Sequence, residues 1–342
     1  LKYLGKEVKL IEMIILHFTY GGVFIMKTIT LGKTGIEVTE LCFGALPMGP
    51  LQKSLTVEEG GECIAHALEL GVTMVDTAQM YGTYPMVKYA IDKTGKKPVV
   101  STKSTAATYE DMEAAVNEAL EKMGLAHIDV MLLHAARGDE NLFELRAGAW
   151  QCMKDYKEKG LIKAIGVATH SVRTVKRAAV MDDVDVVFPL INKIGRGIIH
   201  GTHAEMEQAI ELCFENSKGV YFMKVFAGGY LLKQYDEAIQ YCSDLSKGRA
   251  PLVMGMVAKD EVDMNISYLA GKNVESQIKT LKESPEKHFI VVQGLCSACG
   301  KCIEVCHSAA ISMGEKASIK KDKCVTCGYC VGTCPEFAIR MI

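Results

Sequence analysis

Two hydrophobic periods alternate along this chain of 342 residues. Short apolar runs near 41–45, 73–77, 98–103, 129–134, 163–168, 184–190, 219–225 and 251–256 have the length of buried strands. Between them apolar residues recur at helical spacing. The first such helix, 57–70, opens with Thr56 and Glu59 in capping-box spacing. Gly71, Gly124, Gly160 and Gly219 are expected to stop successive helices, because glycine takes the left-handed conformation without a clashing Cβ. Lys27 to Val38 alternates and turns at Lys33-Thr34-Gly35, which predicts a hairpin. Eight strand–helix units over about 240 residues predict an α/β protein built as a parallel (β/α)8 barrel. The alternative is a doubly wound open sheet, but no G-x-G-x-x-G follows a first strand.

The ends of these strands carry chemistry. The run Thr73-Met-Val-Asp-Thr-Ala-Gln-Met-Tyr-Gly82 delivers Asp76 at a strand end and Tyr81 on the loop that follows. Pro98-Val-Val-Ser-Thr-Lys103 delivers a lysine, and Asp129-Val-Met-Leu-Leu-His134 a histidine. A carboxylate at the end of an apolar strand needs a partner. In a barrel the C-terminal strand ends form one face, so Asp76, Lys103 and His134 meet there with Tyr81 above them. Asn192 and Lys224 end later strands on the same face.

Taken alone, a strand-end Asp or His is more often structural than catalytic. The four residues together, as D-T-A-x-x-Y-G followed by a strand-end lysine and a strand-end histidine, resemble the aldo-keto reductases. The resemblance runs from about Lys27 to about Ala270. It implies a catalytic tetrad of Asp76, Tyr81, Lys103 and His134 acting on a small carbonyl or alcohol. Tyr81 is then the general acid or base, Lys103 lowers its pKa, Asp76 holds the lysine and His134 orients the carbonyl.

The cysteines change the picture of the C-terminal end. There are thirteen, and eight of them follow residue 295. Cys296-x2-Cys299-x2-Cys302-x3-Cys306 recurs 28 residues later as Cys324-x2-Cys327-x2-Cys330-x3-Cys334, and Ala310-Ile311 recurs as Ala338-Ile339. This is the spacing of bacterial two-cluster ferredoxins. By that resemblance Cys296, Cys299, Cys302 and Cys334 hold one [4Fe-4S] cluster, and Cys324, Cys327, Cys330 and Cys306 the other. Two zinc sites are the alternative, which the twofold repeat and the fourth cysteine disfavour. His307 stands where that family usually has proline. Cys42, Cys63, Cys152, Cys213 and Cys242 sit in apolar patterns and read as core residues.

Three segments follow: a leader over 1–25, a barrel over 26–284 and an α+β ferredoxin-like domain over 285–342. The leader is expected to be translated sequence ahead of a start at Met26, because Gly21-Gly22 is what a purine-rich ribosome-binding sequence encodes. A disordered extension is the alternative. Leu10 to Leu16 is too short to span a bilayer. The formal net charge of −2 and the lack of a basic cluster exclude nucleic acid as an expected partner. Metal-type cysteine spacing places the chain in a reducing cytoplasm, without disulfides.

The nucleotide positions depart from the reductase pattern. The Ser-Asn pair that holds the nicotinamide amide aligns with Ala168-Thr169, and the usual glutamine with Phe188. Met223 stands at the stacking aromatic and Val257 at the arginine for the 2′-phosphate. Lys259 is a substitute candidate, and Asn265 matches the adenine contact. NAD(P)H is the cofactor implied by resemblance. FMN held through Lys224 and Lys259 is the alternative, since a flavin splits electron pairs for one-electron clusters. Three functions are therefore compatible with the chain. One is a reductase wired to its clusters. Another is a reductase fed by a ferredoxin or flavoprotein without tight NADPH binding. The third is an electron carrier or redox sensor that uses the barrel as a scaffold.

Overall fold

Strand and helix alternate because each strand buries both faces, one toward the barrel axis and one toward the helices. The computed structural model describes residues 26–283 and 288–342; the 1–25 leader and the Ser284-Pro285 break lie outside the described residues. An N-terminal hairpin pairs β1 (Thr28–Thr30) with β2 (Glu37–Thr39) in antiparallel register, Ile29 opposite Val38. Eight parallel strands then form one sheet: β3 (Leu41–Gly44), β4 (Met74–Asp76), β5 (Val99–Ser104), β6 (Ile128–His134), β7 (Ile162–Thr169), β8 (Val186–Pro189), β9 (Gly219–Val220) and β10 (Leu252–Gly255). The order is sequential, with β10 beside β3. A parallel bridge between Phe222 and Leu252 joins β9 to β10 and closes the ring.

Two apolar layers hold it together. The inner one fills the barrel with Cys42, Met74, Val130, Leu132, Ala164, Val186 and Tyr221, sealed by Leu31, Ile36 and Val38 of the hairpin. The outer one packs the strands against helices such as Val57–Glu69 and Tyr109–Met123. The Thr56–Glu59 capping box forms as the spacing predicts. Gly124 ends its helix with φ +66, and Gly71 and Gly160 also lie in the left-handed region. Gly219 is different. The helix before it, His203–Glu215, ends earlier, and Gly219 opens β9 instead of stopping a helix. A Cβ there would sit 3.1 Å from the Leu31 backbone, so glycine serves close approach of the hairpin. The five core cysteines are all buried.

The C-terminal unit is an α+β pair of repeats. Strand β11 (Phe289–Val291) pairs with β14 (Ile339–Met341), and β12 (Ile311–Met313) with β13 (Ala317–Ile319), both antiparallel. Short helices Lys301–Glu304 and Tyr329–Thr333 each follow a left-handed glycine, Gly300 and Gly328. Cysteines make up much of its small core, together with Phe289, Ala310, Ile311, Ala317 and Ile339. A core of that size needs an added staple such as a metal centre.

Candidate active site

Parallel register sets Asp76 beside Ser101 and Lys103 beside Leu132, which brings the ends of β4, β5 and β6 to one rim. Lys103 is only 1% exposed and Asp76 4%. The Lys103 ammonium donates to both oxygens of Asp76, at 2.9 and 2.8 Å, and to the Thr77 carbonyl at 2.6 Å. All three of its protons are therefore used. Tyr221 also reaches the carboxylate, at 3.5 Å, while bonded to Ser101. Burial pushes the Asp76 carboxyl up and the Lys103 ammonium down; the pair offsets this by mutual attraction.

Tyr81 sits on a short turn, Gln79–Tyr81, directly after β4. Its ring lies 4.9 Å from the Lys103 nitrogen, so the cation faces the ring and is not bonded to the hydroxyl. The expected lowering of the Tyr81 pKa is not what this arrangement produces. Burial, then the neighbouring Tyr329 and Asp76, raise it well above the ordinary phenol value. Tyr81 is held as the protonated acid. His134, at the end of β6, lies edge-on to Tyr81 with ring centres 5.7 Å apart. Burial, reinforced by Lys103, keeps its imidazole neutral.

The residue that sequence reasoning missed is Tyr329. It comes from the C-terminal unit, yet its hydroxyl lies 2.9 Å from His134 Nε2 and its ring shares an apolar cluster with Tyr81. The signal was a difference inside the repeat: the matching position 28 residues earlier is Lys301, which is exposed. His307, noted above only as a missing proline, packs edge-on against Tyr329 at 4.4 Å.

The C-terminal unit docks across this rim. Arg196 donates to the Cys324 carbonyl at 2.9 Å and lies flat over Tyr230, 3.3 Å from the ring centre. Gln52 donates to the Thr326 carbonyl at 2.9 Å, and Arg137 to that of Glu304 at 3.2 Å. The Gly228 carbonyl accepts from Thr326.

Four of the eight cysteines line one cavity. A small cavity is lined by Cys296, Cys299, Cys302 and Cys334 with Val291, Ala317 and Ile339. Burial raises the Cys330 thiol pKa, and Cys327, Cys324, Cys306 and Cys302 lie near enough to raise it further. Backbone amides aim at the sulfurs: Ala310 N at Cys306 (3.2 Å), Ala338 N at Cys334 (3.3 Å) and Thr326 N at Cys324 (3.4 Å). Among the described residues no three metal-binding side chains converge on a single-ion position. Thiols around a cavity, with amides directed at sulfur, fit a cluster better than one ion. Cys327 lies inward: it shares an apolar cluster with Leu51, Tyr81 and Tyr329, whereas Cys299 is exposed.

The nucleotide candidates are mostly engaged with the protein. Thr169 is buried and accepts from the Ser171 amide. Asn192 bonds the Arg196 backbone in both directions, at 3.0 and 2.9 Å. Phe188 stacks on Tyr221 at 3.9 Å. Lys259 is paired with Glu62 at 2.9 Å, and Asn265 is bonded to Tyr235 and the Glu261 carbonyl. Lys224, at φ +64, directs its ammonium toward the Val325 carbonyl, 3.5 Å away, and toward Cys327 and Cys324.

Residues 40–288 match the aldo/keto reductase family model. The chain belongs to the aldo/keto reductase family. Residues 295–338 match the 4Fe-4S dicluster domain, so this reductase barrel carries a second, cluster-type module. Among solved structures, an aldo-keto reductase from Bacillus halodurans superposes at TM-score 0.58 with 17% identity, over 76% of this chain and 96% of that one. A Bombyx mori aldo-keto reductase solved with NADP gives TM-score 0.55 with 17% identity, over 76% and 93%. These show the shared fold. Among curated proteins, a Pseudomonas D-threo-aldose 1-dehydrogenase is 24% identical over 58% of this chain and 68% of its own. A Mycobacterium aldo-keto reductase is 28% identical over 41% of this chain and 49% of its own. Against relatives of the latter kind the match spans about half their length. No helix among the described residues is long and apolar enough to cross a membrane.

Proposed function

We propose that this aldo/keto reductase reduces a small carbonyl compound, or oxidises the matching alcohol, with Tyr81 as general acid/base and its electrons supplied through the dicluster domain. One observation carries the reading. Tyr81 and His134 lie edge-on at one rim with ring centres 5.7 Å apart, and the Lys103–Asp76 pair packs against the tyrosine. A carbonyl oxygen there accepts from both. Reduction takes up two electrons and two protons: Tyr81 supplies the proton that ends on oxygen, and water supplies the one that ends on carbon. His134 holds that oxygen in place, and the buried lysine–carboxylate pair fixes the wall on which Tyr81 stands.

Bound [4Fe-4S] clusters supply one-electron transfers, two per carbonyl if each cluster holds one. Cys296, Cys299, Cys302 and Cys334 would hold the outer cluster, and Cys306, Cys324, Cys327 and Cys330 the inner one. A redox protein of the ferredoxin or flavoprotein class is the matching donor. The engagement of Phe188, Asn192, Lys259 and Asn265 within the protein favours such a donor over tightly held NADPH.

The test is Tyr81→Phe in cluster-loaded protein, assayed on a panel of aldehydes and ketones with reduced methyl viologen and with NADPH. Turnover is expected to vanish while iron content and circular dichroism stay unchanged. Undiminished turnover with either donor would remove Tyr81 from the mechanism.

A further inference from the structure

Tyr329 reaches the reductase rim because one half of the repeat is built to touch it. In the first half, Gly300 is followed by Lys301, and a Cβ at Gly300 would meet nothing within 4 Å. In the second half, a Cβ at Gly328 would lie 2.0 Å from the Leu51 carbonyl oxygen. The two glycines share a left-handed conformation, φ +79 and +81. The same backbone thus stands free once and pressed against the barrel once. The pressed copy carries a tyrosine.

Its hydrogen bonding resembles that of a substrate. His134 Nδ1 is buried with no partner. His134 Nε2 and the Tyr329 hydroxyl share a hydrogen bond across 2.9 Å. Tyr81 packs beside Tyr329 in one apolar cluster. A phenol oxygen on His134 and beside Tyr81 occupies the place of a carbonyl oxygen. Its ring lies edge-on to His134 at 6.0 Å and to His307 at 4.4 Å, and packs in an apolar cluster with Leu51, Ala78 and Leu46.

We propose that Tyr329 is an active-site residue that fills the substrate's seat, and that the seat selects an aromatic ring bearing an oxygen, so that the substrate is an aryl carbonyl compound or its alcohol that exchanges with the Tyr329 side chain. This rests on the assignment of Tyr81 and His134 as the groups that hold the substrate oxygen. Entry then exchanges the Tyr329–His134 hydrogen bond for one to the substrate oxygen, and Tyr329 sets which molecules win the exchange. Smaller aliphatic carbonyls replace the bonds to oxygen but not the ring contacts with His134 and His307.

The probe is p-cresol, which is the tyrosine side chain cut free at Cβ, with toluene as the control that lacks the oxygen. Titration calorimetry is run on cluster-loaded wild type, Tyr329→Phe and Tyr329→Ala, with iron content as the check on folding. Both variants are expected to bind p-cresol at least about tenfold tighter than wild type, the alanine variant most, as expected when a competing hydrogen bond is removed. In Tyr329→Ala, p-cresol is expected to outbind toluene by about tenfold, and the added substitution His134→Ala to remove that preference. Equal p-cresol constants for wild type and both variants would overturn the proposal, and so would equal binding of p-cresol and toluene. Tyr329→Phe retains the ring and serves if the alanine variant loses its clusters. These readouts are equilibria without turnover. A failed Tyr81→Phe assay beside a positive p-cresol result would thus indict the catalytic assignment alone.

Discussion

Lys103 places its ammonium 2.8 and 2.9 Å from the two oxygens of Asp76, with both residues almost wholly buried. Among the described residues each is the other's only ion-pair partner. Breaking such a pair from one side leaves an uncompensated buried charge, which costs about 3–5 kcal/mol. Asp76→Asn and Lys103→Met are each expected to destabilise the barrel by that order. The double variant is expected to be more stable than either single one. Denaturant midpoints followed by far-ultraviolet circular dichroism check this, and additive losses would show that the pair is not coupled.

Acid is expected to destabilise the fold through its buried histidines. His134 and His170 have pKa values well below the ordinary histidine value because burial disfavours the imidazolium. Below the unfolded pKa of about 6.5 the unfolded chain binds protons that the folded chain does not, so stability falls as pH drops. The limiting slope is about 1.4 kcal/mol per pH unit for each histidine. Urea midpoints at successive pH values below neutrality measure it. His170→Gln is expected to flatten the dependence; an unchanged slope would rule His170 out as a source.

Docking of the dicluster unit depends on glycine at 328. Gly328→Ala combines a left-handed φ with a Cβ 2.0 Å from the Leu51 oxygen, whereas Gly300→Ala meets only the conformational cost. Gly328→Ala is expected to separate the two units and Gly300→Ala to leave them joined. Small-angle scattering and limited proteolysis compare the two variants directly. Equal compactness would mean that Leu51 yields without loss of the contact.

NADPH is expected to bind more weakly than micromolar. Lys259 is paired with Glu62, and the same cavity is lined by Glu58, Glu59 and Val257, an acidic setting for a 2′-phosphate. Charge-assisted bonds to phosphate are the strong contacts of such a site, and here the one lysine is already engaged. Glu62→Gln frees Lys259 and is expected to tighten NADPH relative to NADH. Calorimetry with both nucleotides decides, and submicromolar NADPH in the wild type would defeat the expectation.

Anaerobically purified protein is expected to carry about eight iron and eight sulfide per chain, two cubanes on eight thiolates. Electron paramagnetic resonance after dithionite reduction is expected to show interacting centres. Two bound zinc ions instead would reject the cluster assignment.

The sequence by itself determined the strands, their parallel order, the two cysteine runs and the strand-end set Asp76, Lys103 and His134. It could do so because these features are local: hydrophobic period, a glycine after a helix and fixed Cys spacing each act within a few residues. Gly219 escaped that logic, since its reason is the Leu31 backbone packed against it from the N-terminal hairpin. Tertiary structure alone decided which way Tyr81 titrates. Lys103 was readable as a neighbour, but its three protons are spent on Asp76 and Thr77, and burial then dominates the phenol. It also decided that Tyr329 stands at His134 across 195 residues of chain. No local pattern encodes that meeting. It follows from docking one rigid unit on another, where Gly328 and Leu51 meet and Arg196 reaches the Cys324 carbonyl, and only the folded surfaces specify it.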